Sequence, residues 1–143
     1  MTIAEQVATK SLCLREESRF GIIAVKKDRV VASGYNGALN KIRPCAERGS
    51  CIRRDRKIPS GTQRDIAYCI CAEQRMICDA AREGISLKGA DVYTNSTPCT
   101  FCIRLMIECE IKRVYYKRNG FDYTNEITRE LIRESRLEFV LVT

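Results

Sequence analysis

Two short cysteine motifs, Cys71-Ala72-Glu73 and Pro98-Cys99-Thr100-Phe101-Cys102, lie 28 residues apart from first cysteine to first cysteine, in a chain that has no histidine. For their thiols to act on one ion, the fold has to bring two distant segments to a common point. Cys71 and Cys99 each open a stretch of helical pattern, and a spacing of three puts Cys99 and Cys102 on one helix face. Both helix N-termini then turn partial positive charge toward the cluster, which favours thiolate over thiol. Pro98 restricts the entry of the second helix. Three thiolates leave one tetrahedral position of a zinc ion open, the mark of a catalytic rather than a structural site. Glu73 stands where a non-ligand carboxylate can take and give protons beside that position. Taken singly, Cys71 and Cys102 read as small buried core residues; with Cys99 and Glu73 they read as a zinc centre.

The rest of the chain offers a frame for such a centre. Thr2–Arg15 reads as an amphipathic helix with Ile3, Val7 and Leu14 on one stripe. Residues 19–27 and 29–35 are β-rich runs joined at Lys27-Asp28, a hairpin. Cys71–Glu83 predicts a helix with Met76, Ile77, Ala80 and Ala81 inward, ended by Gly84. A strand over 90–95, a helix over 99–108 and a strand over 111–117 follow. A helix capped by Asp122 or Thr124 and running to Arg133, and a last strand over 137–142, complete the pattern. A hairpin followed by alternating strands and helices predicts an α/β fold with a mixed sheet flanked by helices. Cys78 and Cys109 fit core positions of their helices.

At 143 residues the chain is expected to form a single domain with a core of its own. With 45% apolar and 30% charged residues it has the composition of an ordinary globular protein. No apolar run has the length of a membrane span and the N-terminus lacks a signal-peptide pattern. Nine cysteines, an odd number, fit a reducing compartment where thiols bind metal, so a cytoplasmic location is expected and a membrane partner is not. The net charge of +7 is concentrated: Lys41 to Arg64 holds eight basic residues against the acidic Glu47 and Asp55. Such a patch attracts phosphate, and this connection is long for a compact domain.

The zinc motifs are similar to a known signature of base deaminases, H-x-E followed by P-C-x-x-C, with the histidine replaced by Cys71. Ser33-Gly34-Tyr35-Asn36-Gly37, Cys45, Cys51, Pro59-Ser60-Gly61, Cys69 and Cys71-Ala72-Glu73-Gln74 occur in an order that resembles the deoxycytidylate deaminase family. The resemblance runs from the first helix to Tyr115 and implies a three-layer α/β/α cytidine deaminase-like fold with a five-stranded mixed sheet. It implies zinc-dependent hydrolytic deamination of a cytosine deoxynucleotide, dCMP to dUMP plus ammonia, with dCTP as a further substrate. Glu73 is then the catalytic proton shuttle and Cys71, Cys99 and Cys102 hold the catalytic zinc. The same resemblance places Asn36 at the sugar, Ala72 at the base carbonyl and Tyr115 near the phosphate; Ser96 and Thr97, just before Pro98, are expected to present backbone groups to the leaving amine.

Three thiolates make the site more negative than one with a neutral imidazole. Nucleoside cytidine deaminases, which share C-A-E, offset that charge with an arginine. Arg75 or Arg104, both near ligands in sequence, is therefore expected to donate to a zinc-bound sulfur; Arg75 also stands where the family carries asparagine. Family members with an extra structural zinc have ligands at places matching Cys13, Cys45, Cys51 and Cys69, so a second zinc is expected there, holding the long connection in order. Homo-oligomers and dCTP or dTTP effectors are also implied by the family.

Two other readings compete. One keeps the chemistry but acts on cytidine or deoxycytidine, as C-A-E suggests, or on a tRNA adenosine, as the basic charge suggests. The other is a zinc-structured nucleic-acid-binding module without catalysis, which would have no use for Glu73. The Gly-Tyr-Asn-Gly turn and the cysteine set favour the nucleotide deaminase, and nucleic acid is not the expected partner.

Overall fold

Lys27 and Asp28 both adopt positive φ, 49° and 60°, the conformation that joins two strands in a two-residue hairpin. In the computed structural model, which describes residues 1–59, 62–118 and 124–142, this hairpin links β1 (Gly21–Lys26) to β2 (Arg29–Tyr35). Next come β3 (Gly37–Ala38), α2 (Cys45–Arg48), α3 (Ile52–Asp55), β4 (Cys69–Ile70) and α4 (Ala72–Arg82). The chain closes with β5 (Asp91–Thr94), α5 (Thr100–Glu108), β6 (Arg113–Tyr116), α6 (Glu126–Ser135) and β7 (Glu138–Leu141). Ser60, Gly61 and Asp122, which figured in the sequence reading, lie outside the described residues.

The sheet runs β2-β1-β5-β6-β7. β1 pairs antiparallel with β2 and β5, whereas β5–β6 and β6–β7 are parallel, so the sheet is mixed as expected. Strand alternation sends Ile22, Ala24, Val92 and Val114 to one face, where they meet Met76 and Ala80 of α4 and Ile103 and Met106 of α5. α1 (Thr2–Ala8) covers the opposite face, with Ala4 and Ala8 buried against β1. These are the three layers of the α/β/α sandwich. Gly21 and Gly34, on opposite faces of the hairpin, let α1 and α4 approach so closely that a Cβ at either would collide with helix backbone.

Several boundaries differ from the sequence reading. The first helix ends at Ala8 rather than Arg15: the Thr9 hydroxyl donates to Gln6 O and Ser11 Oγ accepts from Cys13 N, so side chains take up the backbone groups a continuing helix needs. Asn125, not Asp122 or Thr124, caps α6, accepting from Thr128 N at 2.8 Å. Ala81 and Cys78, expected inward, are exposed, because the buried face of α4 is set by Ala72, Glu73, Met76 and Ala80. The long connection carries the short helices α2 and α3, and β3–β4 form a separate two-stranded sheet.

Candidate active site

Cys71 is the N-cap of α4 and Cys99 the N-cap of α5, both with extended backbone, so the two helices begin at the thiols. The Cys71 sulfur accepts from Gln74 N while Gln74 Oε1 accepts from Cys71 N at 3.3 Å, a reciprocal cap built on a thiol instead of a hydroxyl. The two helix starts converge: the sulfurs of Cys71, Cys99 and Cys102 all lie within 4.8 Å of one another, with Cys99 and Cys102 3.4 Å apart. Tetrahedral zinc with Zn–S bonds of ~2.3 Å separates its sulfurs by roughly 3.8 Å, so this donor set fits the ion. Hydrogen bonds from Cys102 and Cys71 hold the Cys99 thiol far below the ordinary thiol range. The same contacts, from Cys71 first and then Cys99, push Cys102 up.

Glu73 is only 4% exposed, in the first turn of α4, and burial pushes its carboxyl up to about 7. It lines a cavity of about 160 Å³ together with Cys71, Ala72, Ser96 and Cys99. Since one water needs ~10–15 Å³ of such space, the cavity has room for a small organic ring and part of a substituent. Ser96 is buried at the end of β5, its N–H donating to Thr94 Oγ1 at 3.4 Å. Asn36 also lines the cavity, but its amide ties two segments: Nδ2 donates to Ser18 O at 2.7 Å and Oδ1 accepts from Phe20 N at 2.8 Å.

Two expected contacts fall elsewhere. Tyr115 is stacked on Tyr93, centroids 4.8 Å apart. Its neighbour in β6, Val114, points into the core under α4 and α5, so alternation sends Tyr115 to the other face of the sheet, away from the cavity. Charge compensation is also placed differently. Arg75 donates to Tyr35 O at 2.9 Å, Ala38 O at 2.6 Å and Asn40 Oδ1 at 3.3 Å, and lies over the Tyr35 ring. It fastens the β2–β3 turn to α4 rather than reaching a sulfur, and Arg104 is exposed on the outside of α5. The guanidinium on the cluster belongs to Arg64, whose Nη1 donates to Cys71 Sγ at 3.3 Å. The sequence placed Arg64 only in the basic run, since it stands seven residues before Cys71 in an irregular loop.

The basic connection is held largely by its own arginines. Arg53 donates to the carbonyls of Pro59, Thr62 and Gln63 at 2.7–2.9 Å. Arg48 donates to Arg43 O at 2.8 Å and its guanidinium sits 4.1 Å from the centre of the Tyr68 ring. Cys13, Cys45, Cys51 and Cys69 all line the same cavity. Burial and then Cys51 push the Cys45 thiol up, with Cys69 and Cys13 also close enough to act on it. Among the described residues, the group whose sulfurs all lie within 4.8 Å of one another is the Cys71 trio alone.

A three-layer α/β/α domain that converges three thiols from two helix starts on a buried glutamate is a cytidine deaminase-like domain. The chain belongs to the cytidine and deoxycytidylate deaminase family, whose zinc-binding region matches residues 1–118. The chain is 32% identical over 116 residues to a deoxycytidylate deaminase of Schizosaccharomyces pombe, covering 81% of this chain and 35% of that protein. A deoxycytidylate deaminase of Mycobacterium phage D29 is 35% identical over 125 residues, covering 82% of this chain and 91% of the phage protein. The chain thus spans about a third of the length of the fission and budding yeast relatives. A solved dCMP deaminase from the cyanophage S-TIM5, in complex with dCMP and dUMP, superposes with a TM-score of 0.73 at 21% identity, covering 99% of this chain and 92% of that one. This likeness concerns the fold.

Proposed function

We propose that the protein is a zinc-dependent hydrolase that deaminates a cytosine deoxynucleotide, dCMP to dUMP plus ammonia, within one catalytic domain. The observation that carries the reading is the buried Glu73 beside the Cys71–Cys99–Cys102 trio in a ligand-sized cavity. The deoxycytidylate deaminases among its relatives and the cyanophage enzyme seen with dCMP and dUMP support the substrate.

Zinc on the three thiolates supplies a Lewis acid that activates water at neutral pH. The chain does the remaining work. Glu73, shielded from solvent at the start of α4, would take one proton from the attacking water and pass it to the ring N3, then take the second proton from the hydroxyl added at C4 and deliver it to the departing amine as the C–N bond breaks. Ala72 presents its backbone to the base, and the buried Ser96 closes the cavity near the amine. Arg64 sets a positive charge against Cys71. Cys13, Cys45, Cys51 and Cys69 hold a second, structural zinc that ties the Lys41–Arg64 connection to the start of β1; their shared place on the cavity wall supports this. Exposed Phe101, Leu105 and Ile127 on α5 and α6 support a homo-oligomer. No helix of the described residues is long and apolar enough to cross a membrane, and thiols in metal roles fit a reducing compartment such as the cytoplasm.

Ammonia release from zinc-loaded protein, measured side by side on dCMP, dCTP, deoxycytidine and cytidine, tests the proposal. Turnover of dCMP with little on the nucleosides is the expected result. Turnover of nucleosides alone would contradict the substrate, and silence on all four would contradict the reaction.

A further inference from the structure

Arg75 stands one helical turn beyond Cys71 and is only 9% exposed, yet among the described residues no carboxylate pairs with it. A buried guanidinium is costly unless its donors are matched. Here one turn matches them. Nε donates to Tyr35 O at 2.9 Å, Nη2 to Ala38 O at 2.6 Å and Nη1 to Asn40 Oδ1 at 3.3 Å. The two carbonyls flank Asn36-Gly37, so the guanidinium holds that pair from both sides. It stands so near that a Cβ on Gly37 would lie 3.8 Å from Nη2.

The pair that Arg75 clamps is built into the cavity wall. Asn36 N donates to Phe20 O at 3.1 Å, its Nδ2 donates to Ser18 O, and its Oδ1 accepts from Phe20 N. Ser18, Phe20 and Asn36 line the same cavity as Cys71, Ala72 and Glu73. On the other side of the turn, Gly37 and Ala38 of β3 pair with Ile70 and Cys69 of β4, which runs directly into Cys71. Arg75 N donates to Cys71 O at 3.0 Å and closes the ring. One side chain therefore joins the helix that carries the thiol and the carboxylate to the wall formed by Ser18, Phe20 and Asn36. Tyr35 itself stays paired with Gly21 in the main sheet, so losing the clamp frees the turn without dissolving the sheet.

We infer that Arg75 is a positioning residue for the nucleotide: it acts through Asn36 and keeps the turn over residues 36–40 in its binding geometry before the ligand arrives. The inference rests on the proposed nucleotide deaminase reading. A wall ordered in advance lowers the cost of binding. The effect of Arg75 thus falls on substrate and product affinity rather than on the proton transfers at Glu73.

The test compares wild type, Arg75→Ala, Arg75→Lys and Leu137→Ala as zinc-loaded proteins, at a temperature where all four are folded. Leu137 is buried in the core and does not line the cavity, so Leu137→Ala lowers stability from a remote place. The readouts are kcat and KM for dCMP, calorimetric binding of dUMP, zinc content, and hydrogen exchange of residues 35–40. Arg75→Ala is expected to raise the KM and weaken dUMP binding about tenfold, the scale of ordering a freed segment on binding. Its exchange over residues 35–40 speeds up, kcat changes far less, and zinc content is unchanged. Arg75→Lys keeps the charge but not the fork and recovers part of the affinity. Leu137→Ala leaves KM, dUMP binding and that exchange at the wild-type level. Unchanged KM and dUMP binding in Arg75→Ala overturn the inference. So does an equal loss in Leu137→Ala, which would assign the effect to stability alone. A fall in kcat with KM unchanged, or a loss of zinc, would place Arg75 with the reacting groups or the thiols and overturn it too. A wild type inert on dCMP would defeat the reaction instead, while dUMP binding that still depends on Arg75 would leave the positioning role standing.

Discussion

A single methyl group at position 34 tests whether the packing of α4 on the sheet sets the catalytic geometry. An ideal Cβ on Gly34 would collide with Ala72 O, stand 2.7 Å from Met76 N and touch Met76 Cβ at 3.0 Å. The obstacle is helix backbone, so no side-chain rotation relieves it. Restoring ordinary contact moves the start of α4 by about 1 Å, and overpacking of this kind costs about 1–3 kcal/mol. For a domain of this size that lowers Tm by roughly 3–10 °C. The start of α4 also carries Cys71 and Glu73, and a 1 Å misplacement at reacting groups costs about a hundredfold in rate. Gly21→Ala is the matched control: its Cβ would collide with Ala4 O and stand 2.5 Å from Ala8 N, on α1, which carries no catalytic residue. Thermal melts and dCMP turnover on both variants make the comparison. Similar losses of Tm with a kcat loss about tenfold or more larger for Gly34→Ala are expected; equal kcat losses would refute the argument that α4 packing places the site.

Three further outcomes follow from the contacts described. Arg64→Ala removes the donor at 3.3 Å from Cys71 Sγ, and at neutral pH, where zinc displaces thiol protons and leaves net negative charge, apparent zinc affinity falls about ten- to a hundredfold by chelator competition; unchanged affinity would mean the contact does not stabilise the thiolates. Arg75→Ala leaves Tyr35 O and Ala38 O without their donor and destabilises by about 2–4 kcal/mol in chemical denaturation, while zinc content stays at the wild-type level; zinc loss without destabilisation would restore a sulfur role. Metal analysis is expected to give two zinc ions per chain, and Cys45→Ser to give one; a wild-type count of one would remove the second site.

The sequence carried the architecture because its signals were local. The Lys27-Asp28 turn, the apolar pattern of residues 71–83 and the thiols at two helix starts each reflect contacts within a few residues or one helical turn. The catalytic trio with Glu73 was legible for the same reason, since the spacing of three in Cys99–Cys102 encodes a shared helix face and Cys71 and Glu73 both fall at the start of one helix. What escaped depended on the path of loops. Arg64 and Arg75 are both arginines near Cys71, and only the fold decides that the loop residue meets the sulfur while the helical one meets the β2–β3 turn. Tyr115 falls away from the cavity because alternation along β6 puts it on the face opposite Val114, against Tyr93, and only the fold decides which face the cavity adjoins.

The central claim is that Glu73 moves the protons of a zinc-dependent deamination, and Glu73→Gln tests it most directly. The variant keeps the shape of the side chain and the three thiols, so zinc content should match wild type while dCMP turnover falls by about 10²–10⁴-fold, the scale of a lost general acid–base. Turnover that persists in a zinc-loaded Glu73→Gln protein would contradict the account.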